Sequence, residues 1–316
     1  HKIHIGTLGF SPFVTSLLSG LNYGIGFMLI HMLHCTVATK QPAMTAASFA
    51  EQVDLNEGGK AADNKLAKLL IDVCRSQSVA VFGNVSVAIL LACIISIGYT
   101  HLYQQPILDA HTTAYQFKSI DIFTQPTLWY AAIAGVWLFC SGIIAGFFDN
   151  RADYLNLRQR LPFNPLLRKI MRPKPRRALA SYIHKHYGSL AGNFIFGMLL
   201  GMTGYIGQLI GLPLDIRHVA FSSANLGYAA ISSNIGIISF TLGILNILAI
   251  GLVNLCVSFS LALFVALRAR GTKISSIRNL IKSFWNQIKT NPFILFFPIS
   301  TELENKNITK KQTKIP

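Results

Sequence analysis

The sequence predicts an all-α integral membrane bundle of about five transmembrane helices, with amphipathic helices on its cytoplasmic side. Three observations predict it. Only 13% of the 316 residues are charged and 52% are hydrophobic, whereas a soluble domain carries about 25% charged residues. Five apolar runs are each long enough to cross a bilayer as helix, which takes about 20 residues. The basic residues between those runs then alternate in number, as membrane topology requires.

The runs are 13–35, 79–102, 128–148, 188–212 and 237–268. The last is longer than one crossing needs, so it must tilt, kink or extend beyond the bilayer. One Lys or Arg precedes the first run; the later intervals hold five (36–78), one (103–127), ten (149–187), one (213–236) and nine (269–316). Positive residues stay on the cytoplasmic side. That places 36–78, 149–187 and the C-terminus in the cytoplasm. Residues 1–268 are then a transmembrane bundle with two cytoplasmic loops, and 269–316 a cytoplasmic amphipathic helix with a disordered tail. His1 falls on the opposite side. The chain begins without Met and without a basic-then-apolar leader, so it reads as a fragment of a longer protein. Tyr99, Tyr103, Trp129 and Tyr130 fall at the outer interface, where aromatic side chains collect.

The first run ends in "CTVATKQPAMTAASFAEQ". Lys40 is a headgroup anchor, Gln41 is biased away from the α region by Pro42, and Pro42 suits the first position of a new helix. After "NEGG", residues 60–77 set Leu66, Leu69, Leu70 and Val73 at helical spacing. Residues 274–290 do the same with Ile277, Ile281, Phe284 and Ile288. Both are amphipathic helices that lie on the inner leaflet or pack on a soluble partner. Gly20/Gly24, Gly142/Gly146, Gly197/Gly201 and Gly207/Gly211 repeat the Gly-x-x-x-Gly interval that brings helices close. Five scattered cysteines, mostly inside apolar runs, read as small buried hydrophobes and not as a disulfide or zinc framework.

Within the five runs there is no Asp, Glu or Lys, which argues against a pump built on intramembrane carboxylates. The polar groups are amides and hydroxyls. Asn22, Asn84, Asn193, Asn246 and Asn254 either glue helices together or line a polar cavity for a neutral or zwitterionic solute, with Ser222, Ser223 and Asn225 in its wall and Thr39, Lys40, Gln41 and Thr45 as its mouth. Residues 217–236 are too polar to face lipid and too apolar for a free loop. They form a re-entrant loop or a short helix packed on the bundle. His31 and His34 share a helical face, but two ligands are too few for a metal site, so no metal or cofactor is expected. His184 and His186 point to opposite sides of a helix. Arg168, Lys169, Arg172, Lys174, Arg176 and Arg177 form a basic patch facing anionic lipid or nucleic acid, and its place beside two spans favours lipid.

"GLNYGIGFMLIHMLHCTVATKQPAMTAASFA", "DIRHVAFSSANLGYA" and "ALRARGTKISSIRNLIKSFW" resemble a bacterial multi-pass membrane family labelled site-specific recombinase. The resemblance implies the inner membrane of a Gram-negative bacterium, a large N-terminal region as a partner for this segment, and DNA inversion as the activity. The residues here carry no His-x-x-Arg element, and Tyr182 and Tyr187 beside the basic run are the nearest nucleophiles for strand transfer. No recombinase, hydrolase or metalloenzyme constellation is legible in this segment. Three functions stand: solute or lipid handling without catalysis, DNA recombination with its catalytic site in the N-terminal region, and a membrane scaffold for a cytoplasmic partner.

Overall fold

A computed structural model describes residues 9–33, 41–55, 60–233, 235–272, 274 and 277–295. Every element among them is helical: α1 (Pro12–Met32), α2 (Gln41–Leu55), α3 (Lys60–Tyr103), α4 (Ala110–Ile120), α5 (Thr127–Tyr154), α6 (Leu157–Arg160), α7 (Pro165–Ile170), α8 (Pro173–Ile210), α9 (Val219–Ser233), α10 (Ile237–Arg270) and α11 (Ile277–Thr290). Single 3₁₀ turns occupy Leu161–Phe163 and Pro292–Leu295. The helices α1, α3, α5, α8 and α10 are long and apolar enough to cross a membrane.

These helices overrun the apolar runs. The amphipathic stretch 60–77 and the run 79–102 form one 44-residue helix, because neither Gly nor Pro stands between them to end it. The fifth run extends as a continuous 34-residue helix. Much of the interval 149–187 is likewise helical, α8 starting at Pro173 with Pro in its first turn.

Phe82, Leu90, Ile94, Ile143, Phe147, Leu245 and Leu252 are all exposed. In a soluble fold such a surface would aggregate; on spans it is the face that meets lipid. The same physics corrects the reading of the cysteines. None of the four described is buried: Cys74, Cys93 and Cys140 are half-buried and Cys256 is exposed.

The chain divides into two compact units. The first comprises residues 1–46 and 80–264. Its α1 and α8 run antiparallel, Phe13 meeting Tyr205 at one end (5.3 Å between ring centroids) and His31 meeting His186 at the other. Two of the glycine pairs face each other at their crossing. A Cβ on Gly197 would overlap the Gly24 backbone, and one on Gly201 the Gly20 backbone. On its other side α8 packs along α5. Here Gly188 and Gly192 lie against Ala145 and Ser141, and Trp137 Nε1 donates to Thr203 Oγ1 at 2.9 Å. Phe27, Ala134, Leu138, Phe196 and Leu200 form the core of this trio. A second core joins Val85 and Ile89 of α3, Ile120 of α4, Ala131 of α5, Val219 and Leu226 of α9, and Ile247 and Ile250 of α10.

The second unit comprises residues 47–79 and 265–316. Phe49, Ala50, Leu66, Ala67, Ile71, Leu280 and Ile294 are buried in it. Arg75 pairs with Asp72 at 2.7 Å and donates to the Ile294 carbonyl, and Gln287 donates to the Asn64 carbonyl at 2.9 Å. The stripe on α11 is rotated from the one its spacing suggests: Leu280 is buried while Ile277 and Ile281 are exposed. The tail assigned to disorder lies outside the described residues.

Candidate functional site

The polar segment 217–236 is mostly the helix α9, and what matters is how the chain enters it. Gly211 ends α8 at φ +70°, a left-handed turn that glycine adopts without a Cβ penalty. The chain then doubles back, the Leu212 N–H donating to the Gly207 carbonyl at 2.9 Å. Gly207 is needed for that return, since a Cβ there would press on the Leu212 carbonyl and the Leu214 side chain. The Gly207/Gly211 pair therefore serves a reversal of the chain and not a helix crossing.

Residues 212–218 run back along α8 until His218 sits edge-on to Phe196 (5.2 Å) and Phe27 (6.2 Å). Phe196 is fourteen residues before the end of α8, so the chain has travelled about 20 Å back along that helix at 1.5 Å per residue. Then α9 reverses again. Asp215, Arg217 and His218 are thereby carried in among the spans, although none of the spans contains them. Ionisable residues in such a place are costly and mark function more often than not.

The entry is tied on every side. Arg217 Nε donates to the Ser119 carbonyl at 2.7 Å, closing on the end of α4, and its Nη1 donates to Asp215 Oδ2 at 2.6 Å. The guanidinium also lies 5.5 Å over the Tyr130 ring. Buried Asn254 of α10 accepts from the Val219 N–H (3.1 Å) and donates to the Ala131 (2.7 Å) and Arg217 (3.0 Å) carbonyls. One amide thus joins α5, α9, α10 and the incoming strand. In the loop before α5, hydrogen bonds from Thr124 and the Phe123 N–H hold the Asp121 carboxyl below its ordinary pKa. The Thr127 hydroxyl closes the same turn by donating to the Asp121 carbonyl at 2.7 Å.

Two cavities adjoin this entry. One, of about 370 Å³, is walled by Ser19, Tyr23, Gln116, Asp215, Arg217, His218, Ser222 and Asn225. The other, of about 460 Å³, is walled by Asn22, Tyr23, Gln116, Phe221, Asn225 and Tyr228. Tyr23, Gln116, Phe221 and Asn225 line both. His218 is buried, and its Nδ1 has no hydrogen-bond partner among the described residues.

Of the residues singled out by sequence, Asn22, Ser222 and Asn225 are brought together here. Ser223 is buried and donates to the Val219 carbonyl at 2.7 Å, a bond within its own helix. Asn193 is buried and Asn84 half-buried, and neither lines either cavity. Thr45 donates to the Pro42 carbonyl at 3.2 Å, in the first turn of α2. Gln41 begins α2, and Thr39 and Lys40 lie outside the described residues. In the basic patch Arg168, Lys169, Arg172, Lys174 and Arg177 are exposed, and Arg176 is half-buried.

The sequence reading missed Asp215, Arg217, His218, Tyr23 and Gln116. The available signal was "DIRH": three ionisable residues in four, in a connector with a single cation.

His31 meets His186. The Nε2···Nδ1 distance is 3.1 Å, and Tyr182 stacks on His186 at 4.5 Å. His34 lies outside the described residues. His184 faces the other way, toward Asp153 at 3.5 Å. Among the described residues no group of three or more His, Cys, Asp or Glu could hold a metal ion. Tyr187 packs edge-on against Phe148 at 5.1 Å.

The model of the family described as site-specific recombinase matches residues 1–298. The chain belongs to that family. No curated protein and no solved structure matches it.

Proposed function

We propose that this member of the site-specific recombinase family binds and moves a small polar solute across the inner membrane of a bacterium, without catalysis, with its C-terminus in the cytoplasm. One observation carries the reading: a doubled-back strand places Asp215, Arg217 and His218 beside cavities that also collect Gln116, Asn225 and Tyr23. The cavities are of the size that small ligands occupy, roughly 300–1,000 Å³. Side by side, the carboxylate and the guanidinium offer complementary charges to a zwitterion. The amides and hydroxyls around them supply donors and acceptors in both directions.

The test is access followed by occupancy. Ser19→Cys, in the wall of the same cavity, should in the full-length protein react with a membrane-impermeant thiol reagent in intact vesicles, and neutral amino acids, as zwitterions, should slow the labelling. A cysteine at position 19 that stays unlabelled, while Cys variants at exposed loop sites label fully, removes the hydrated cavity and the reading with it.

The family description supports a second reading, DNA recombination, and Tyr182 and Tyr187 beside the basic patch are the candidates for it. Strand exchange by the full-length protein, abolished by Tyr182→Phe or Tyr187→Phe, would favour it. Exchange that survives both changes would place any nucleophile elsewhere.

A further inference from the structure

The geometry points to α11 as a lipid-reading helix, whose exposed Ile277–Ile281–Trp285 stripe inserts among anionic lipid headgroups of the leaflet from which α10 emerges. The three side chains are 63%, 49% and 54% exposed. Spaced four residues apart, they cover an arc of about 80° on a helix that turns ~100° per residue. On the same wheel Arg278, Lys282 and Lys289, all exposed, follow directly at about 100–140°. Buried Leu280, and Gln287, which donates to the Asn64 carbonyl, lie on the far side at about 280–300°. One side of α11 therefore holds the helix to its own unit. The other presents apolar side chains bordered by cations.

Two facts choose lipid as the occupant. Six residues separate Arg270, the end of a helix long and apolar enough to cross a membrane, from Ile277. At full stretch that tether reaches about 25 Å, so α11 cannot leave the neighbourhood of the bilayer. An apolar stripe containing Trp and bordered by Lys and Arg is also the pattern that settles at a headgroup boundary, the cations drawing it to anionic lipid.

Trp285 is its own reporter. The full-length protein would be placed in vesicles of phosphatidylcholine, with or without phosphatidylglycerol, whose acyl chains carry bromine near the headgroup. The Trp285 signal is obtained by subtracting the Trp285→Phe variant. Expected are strong quenching with phosphatidylglycerol, weak quenching without it, and a fall to the weak level when Arg278, Lys282 and Lys289 are all changed to Gln. Two outcomes would overturn the inference: quenching absent in both vesicles, or quenching equal in both. Circular dichroism of the triple variant guards against misfolding, which exposed positions should not cause.

Discussion

The crossing of α1 with α8 and the entry to α9 lie in the same unit and solve opposite problems. At the crossing, Gly20, Gly24, Gly197 and Gly201 remove side chains so that two backbones touch. At the entry, Arg217, Asp215 and Asn254 add polar side chains so that a strand which leaves helix geometry still has its hydrogen bonds made. Lipid explains the contrast. A helix satisfies its own backbone and gains from close packing, while a non-helical strand among spans must borrow partners or pay for bare N–H and C=O groups. The first region therefore packs backbone against backbone, and the second leaves room beside it for polar cavities.

That contrast can be broken at the crossing first. Gly201→Leu drives a side chain into the Gly20 backbone, and should cost about 3 kcal/mol or abolish folding, since overpacking a close contact costs roughly 1–3 kcal/mol even where neighbours can yield. Gly146→Ala is the control. It too belongs to a Gly-x-x-x-Gly pair, but a Cβ there meets nothing within 4 Å, so the change should stay within about 0.5 kcal/mol. Equilibrium unfolding in mixed micelles would rank the two, and equal costs would mean that the glycine contact is not what holds α1 to α8.

Next comes the amide at the entry. Asn254→Leu leaves the Val219 N–H and the Ala131 and Arg217 carbonyls without this partner, and should cost about 2 kcal/mol, within the usual 1–3 for a buried group left unsatisfied. Asn254→Asp keeps the acceptor for Val219 N–H but loses both donors, so it should not rescue. Hydrogen exchange at Val219 would report the opening locally. An exchange rate unchanged in Asn254→Leu would show that the strand is held by something else.

The smallest expected effects on stability are at the cavity wall and in the basic patch. Asn225→Ala and Gln116→Ala should change stability by no more than about 0.5 kcal/mol, yet both should abolish protection by solute in the labelling assay. Arg168→Gln together with Lys169→Gln should alter neither measurement. If the cavity substitutions destabilise as much as Asn254→Leu, then Asn225 and Gln116 belong to the scaffold and not to a binding wall.

The sequence left different amounts legible in the two regions. The glycine pairs were readable as intervals, but pairing Gly20/Gly24 with Gly197/Gly201, across more than 170 residues, needed the antiparallel contact itself. Asn22, Ser222 and Asn225 were selected as polar residues near or in spans and do line the cavities. Asn84 and Asn193 were selected by the same rule and do not, because depth along a helix says nothing about which way the residue faces. Arg217 was counted as one loop cation among others. Hydropathy measures how apolar a stretch is, and a short polar strand between two spans scores the same whether it stays outside or folds back among them.

Composition and the five apolar runs were enough to determine an all-α membrane protein, because transfer to lipid is a sum over local residues. Tertiary structure alone decided that His31 meets His186, that Asn254 gathers four segments, and that Asp215, Arg217 and His218 face a cavity. Those are pairings between segments distant in the chain, set by helix rotation and by the direction of a seven-residue strand. No local sum contains either quantity.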